Sequence, residues 1–99
     1  MELSPAAASE QLSTEAVRVT RWDFPAGSET GFHRHEYDYV VVPVVPGTLT
    51  ITTGDGQVSD VAIELGVAYE RRAGVEHNVA NLGDTPIAFV DIELLEHGG

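Results

Sequence analysis

The chain has 99 residues, enough for one domain with one hydrophobic core and not for two. Sixteen acidic residues against five basic ones give a formal net charge of −11, a field that repels nucleic acid and anionic membrane surfaces. With no cysteine, neither a disulfide framework nor a thiolate metal site is possible, and no apolar run approaches the ~20 residues of a membrane helix. The first fifteen residues carry Glu2, Glu10 and Glu15 and no basic residue, which is unlike a secretory leader, so the expected location is the cytoplasm.

In chain order, residues 1–14 are rich in Ala, Ser and Glu and read as a flexible N-terminal arm. Residues 15–96 carry the pattern of one β domain, and residues 97–99 are tail. The first strand is expected from Val17 to Phe24, before the breaker Pro25-Ala26-Gly27, and a second from Glu29 to His35. Tyr39 to Val45 is β-branched and aromatic, and Pro46-Gly47 turns it into Thr48 to Thr53. Gly54-Asp55-Gly56 marks a hairpin into Val58 to Leu65, where Val61, Ile63 and Leu65 alternate with polar or small residues. Short strands follow at Ala68 to Arg71 and Asn78 to Ala80, then a turn at residues 81–84 and a last strand from Ile87 to Leu94. Gly47, Gly66 and Gly74 fall at turns where positive φ is expected. Many short, evenly spaced strands predict an all-β sandwich or barrel.

Chemistry concentrates in the histidines. His33 and His35 are separated by one residue, so on a strand both imidazoles face the same side. His77 follows the turn Gly74-Val75-Glu76, and in an antiparallel barrel its segment can return beside the His33-Arg34-His35 strand. Neutral imidazole suits Zn, Fe, Ni and Cu, and three of them leave positions open, as a catalytic metal requires; the candidate ions are Fe, Mn, Ni or Zn. No Ser or Asp sits in a nucleophile motif.

The spacing of these residues resembles the cupin superfamily. Its first motif reads G, five residues, H-x-H, three or four residues, E, six residues, G, and here Gly27, His33, His35 and Gly47 match. Its second reads G, five residues, P, one residue, G, two residues, H, three residues, N; here Gly66, Gly74, His77 and Asn81 match, with Arg72 in place of the proline. The run from His33 to Pro43 is similar to small bacterial single-domain cupins, some of them named for β-alanine degradation. The resemblance implies a single-domain cupin jelly-roll β-barrel holding a divalent metal on His33, His35 and His77. The implied activity is that of a metal-dependent, dioxygenase-like or other enzyme acting on a small polar or anionic metabolite. A non-catalytic homodimeric binding module is the alternative.

The family's glutamate falls at Tyr39 or Val40, and neither is a carboxylate. Asp38 is one position early and needs a bulge to turn inward, Glu36 is too close to His35, and Tyr39 has the right parity. The simplest reading is a three-histidine site, similar to that of the thiol dioxygenase branch. Tyr39, Asp38 and Arg72 are the substrate-binding candidates, Arg72 because a guanidinium can pair with a carboxylate in two parallel bonds. Asn81 is expected to hydrogen-bond within its turn. Val40, Val42 and Val44 alternate with Val41, Pro43 and Val45, so both faces of that strand are apolar and a homodimer is expected.

Overall fold

A computed structural model describes residues 2–95. Among these the chain is built of strands alone: β1 (Ser4–Pro5), β2 (Ala7–Ser13), β3 (Val17–Phe24), β4 (Ser28–Glu29), β5 (His33–Arg34), β6 (Tyr39–Val45), β7 (Gly47–Thr53), β8 (Val58–Ile63), β9 (Tyr69–Arg71), β10 (Glu76–Asn81) and β11 (Ile87–Leu94). They form two sheets. One has the order β1-β4-β10-β7-β8, with β5 also on β10, and the other β2-β3-β11-β6-β9. No helix among the described residues is long and apolar enough to cross a membrane.

The sheets face each other across a core of Phe24, Tyr39, Val41, Leu49, Ile63, Val79, Ile87 and Phe89. Strand parity explains the selection. On β11, Ile87, Phe89 and Asp91 are buried on the inner face, while on the alternate face Val90 and Ile92 are only partly covered and the small Ala88 is buried. Register carries this parity across the second sheet. Asp91 lies opposite Thr20 on β3 and Val41 on β6, and Glu93 lies opposite Arg18 and Tyr39. The same rule makes Val19, Ile92 and Val40 one row on the outer face.

The chain changes sheets at Pro46, between β6 and β7. Gly47 does not have the positive φ expected of it, whereas Gly66 and Gly74 do, at 75° and 96°. Gly47 is required for space: a Cβ there would stand 2.6 Å from the Ile87 side chain, within van der Waals overlap. Gly47→Ala is therefore expected to destabilise the fold by about 1–3 kcal/mol through overpacking, read as a lower urea midpoint at unchanged slope.

Several element bounds differ from expectation. Ser4–Pro5 pairs with β4 and Ala7–Ser13 pairs with β3, so strands occupy most of the segment read as an arm. All of β2 is exposed, which is why its sequence shows no buried alternation. The expected strand from Glu29 to His35 is split into β4 and β5 around Thr30-Gly31-Phe32. Strand β8 ends at Ile63, and Leu65, expected inside, is 66% exposed. The tail at residues 97–99 lies outside the described residues.

Candidate metal centre

Strand β10 brings the two motifs together. His77 lies directly opposite His33 of β5 on one side and opposite Thr53 of β7 on the other. Below it, Asn81 is fully buried. Its amide donates to the carbonyls of Phe24 and Thr85 at 3.0 and 2.8 Å and accepts from the Gly83 amide at 3.1 Å. That set of bonds ties the end of β10 to both neighbouring turns.

His35 lies just past β5 and is held by the second motif. The Gly74 amide donates to the His35 carbonyl at 2.8 Å. The Asp38 carboxylate accepts from the Ala73 amide at 2.8 Å and from Arg72 at 3.3 Å. Asp38 is thus turned toward the 72–74 turn and does not join the histidines.

The three imidazoles converge. His33 Nε2 is 3.0 Å from His35 Nε2 and 3.2 Å from His77 Nε2, and all three ligand atoms lie within 4.8 Å of one another. His33 Nδ1 faces the Gly31 carbonyl at 2.9 Å. A carbonyl only accepts, so Nδ1 carries the proton and Nε2 presents a lone pair to the centre. One neighbouring imidazole N–H can satisfy that lone pair, whereas a cation at the centre would engage all three Nε2 atoms at once. Metal–nitrogen bonds of about 2.1 Å at ordinary coordination angles separate ligand nitrogens by roughly 3.0–3.4 Å, which the two distances from His33 match. The donor set therefore fits a divalent ion, and among the described residues no carboxylate belongs to the cluster.

Burial, followed by the positive charge of neighbouring histidines, lowers His35 and His77 to about 4. Both are neutral at physiological pH and need lose no proton to bind metal. The linkage has a definite sign. Between pH 6.5 and 4 the unfolded chain takes up protons that these folded imidazoles refuse, so stability falls as the pH drops. Asp91, raised to about 6, acts in the opposite direction over much the same window, but it is one group against two. Metal-free protein is thus expected to lose melting temperature between pH 6.5 and 4, as calorimetry would show.

Tyr39 is buried, and its ring stacks on the His35 ring with centroids 4.0 Å apart. Burial, then the neighbouring Tyr69, raises its phenol to about 12, so it stays protonated and acts as a wall for His35. Trp22 lies nearly parallel to His33, with ring centroids 6.5 Å apart. Between the sheets a cavity of about 250 Å³ opens beside the histidines. Leu49, Ile51, Val61 and Phe89 make its apolar walls, and Asp91, Arg71 and Arg72 are its charged lining residues. Arg72 is at the rim, with a side chain 75% exposed and paired with Asp38 and Glu70. Arg71 lies over the Tyr69 ring at 4.4 Å. In the sequence Arg71 is only the end of a short strand, and Asp91 is one acidic residue among sixteen.

The Cupin domain family matches residues 20–93. This chain is a cupin. It is 46% identical over 84 residues to the β-alanine degradation protein BauB of Pseudomonas aeruginosa, covering 85% of this chain and 87% of that one. It is 25% identical over 95 residues to an oxalate-binding protein of Thermotoga maritima, covering 96% and 76% respectively. The crystal structure of a cupin domain from Bordetella pertussis superposes with a TM-score of 0.90 at 47% identity, covering 95% of this chain and 97% of that one. Tyr39, one of the two positions where the motif has its glutamate, packs its ring on His35.

Proposed function

We propose that this cupin holds a divalent metal ion on His33, His35 and His77 and binds a small organic anion beside it. The observation that carries the reading is the convergence of three Nε2 atoms in the wall of a largely apolar, partly open cavity between the sheets. A divalent ion there supplies a Lewis acid, or with iron a redox centre, with positions left open to substrate. The chain's own residues do the rest. The Gly31 carbonyl fixes the His33 tautomer, Tyr39 and Trp22 flank the imidazoles, and the apolar walls restrict water. A neutral histidine set leaves the ion's charge uncompensated by protein, which favours carboxylate- or thiolate-bearing ligands. The cavity is smaller than the ~300–1,000 Å³ typical of sites for drug-sized ligands, so the ligand is a small metabolite.

The activity this supports is metal-dependent and dioxygenase-like. Untagged, iron-loaded protein should consume oxygen with at least one member of a panel of short-chain carboxylates and thiols. Metal-dependent binding without turnover across that panel would favour a binding module, a reading supported by the oxalate-binding relative.

The same proposal includes a homodimer. The outer face of the second sheet presents Val17, Val19, Val40, Val42 and Ile92, none of them fully buried. A second copy laid on this face would remove the row from water. Light scattering at micromolar concentration is expected to give the dimer mass, and Val42→Glu the monomer mass.

A further inference from the structure

The metal reading leaves one buried group unused. Asp91 lies on the inner face of β11, is only 4% exposed and lines the cavity. Its Oδ2 accepts a hydrogen bond from Trp22 Nε1 at 3.1 Å, while Oδ1 has no hydrogen-bond partner among the described residues. A buried, unpaired carboxylate oxygen is costly, and native proteins retain few of them. Arg18, whose charge acts on Asp91, is committed to Glu93 through two bonds of 2.9 and 3.0 Å.

The geometry places this oxygen along the wall from the histidines. Glu93 is level with Tyr39, whose ring meets His35, and Asp91 is two residues further along β11 on the same face. Two residues of strand span roughly 7 Å. The three histidines and Asp91 line the same cavity, so a short chain inside it can contact both.

We infer that Asp91 is a specificity-determining residue: its Oδ1 accepts a hydrogen bond from an ammonium or hydroxyl group at the far end of a small carboxylate whose acidic end lies at the three-histidine centre. The inference rests on the proposed function for the acidic end and on Asp91 alone for the far end. Burial, then the nearby Glu93, raises Asp91 to about 6, so near neutral pH it is mainly the carboxylate and accepts through both oxygens. An ammonium donor makes a charge-assisted bond there and ranks above a hydroxyl.

The test uses three probes alike except at one end: 3-aminopropanoate, 3-hydroxypropanoate and butanoate. Each is titrated calorimetrically into zinc-loaded and metal-stripped full-length protein, with zinc content measured on the same samples. Wild type is expected to bind the amino probe about tenfold or more tighter than butanoate, with the hydroxy probe between them. In Asp91→Asn, the Trp22 N–H holds the amide by its oxygen, so the NH₂ takes the place of Oδ1 and faces the ligand. That variant should reverse the order, binding the amino probe weakest, with zinc content unchanged. It should also melt higher than wild type near pH 8, because a buried charge is gone, which shows that it folds. Equal binding of the three probes by wild type, or an unaltered order in Asp91→Asn, overturns the inference. Loss of zinc binding by wild type instead overturns the metal reading, and the order of the probes on metal-stripped protein still decides the role of Asp91.

Discussion

Replacing His77 by alanine is expected to weaken metal binding by more than about 100-fold while leaving the melting temperature of metal-free protein within a few degrees of wild type. Partners that merely orient a metal ligand are worth 10–100-fold in affinity, and His77 is itself one of three proposed ligands. Two imidazoles cannot compensate, because no carboxylate among the described residues belongs to the cluster. The fold has little to lose at this position. His77 is buried near the start of β10, its Nε2 faces His33 Nε2, and the core cluster does not include it. Metal titration followed by calorimetry on stripped protein separates the two quantities. Unchanged metal affinity with a large drop in melting temperature would make His77 a packing residue.

Asn81→Ala is expected to do the reverse. Four residues along the same strand, Asn81 is fully buried, and its side chain satisfies two carbonyls and one amide with bonds of 2.8–3.1 Å. Alanine leaves those backbone groups without their partner. At about 1 kcal/mol or more for each, the loss is about 3 kcal/mol, or roughly 10–20 °C in a domain of this size. Metal stoichiometry measured well below the melting transition should stay at the wild-type value. A change in metal affinity comparable to that of His77→Ala would mean that Asn81 acts at the site and not through the turn.

Much of this architecture was legible from period and spacing. Strands β3, β6 and β11 begin and end where Val17, Phe24, Tyr39, Val45, Ile87 and Leu94 mark the limits of β-branched and aromatic runs. The histidines were legible because their spacing is chemical: H-x-H on one face, and a third histidine after a glycine turn. The departures have physical causes. Strand β2 buries nothing, so no alternation marks it. Gly47 answers to the Ile87 side chain, a contact 40 positions away that no local pattern records. Asp38 was a candidate by position, but the amide of Ala73 claims its carboxylate. Arg72 stays at the surface rim, while Arg71 beside it lies on Tyr69. Asp91 was invisible because a carboxylate in a strand reads as solvent-facing until register shows that it shares a face with Phe89 and Val41.

A crystal structure of untagged protein loaded with zinc measures the coordination of the bound ion most directly. One ion bonded by the Nε2 atoms of His33, His35 and His77, with only non-protein atoms completing its shell, is the predicted result. An oxygen of Asp38 or Glu36 at roughly 2.0–2.2 Å from the ion, or no ion at the histidines after exposure to excess Zn(II), Ni(II) and Fe(II), would contradict it.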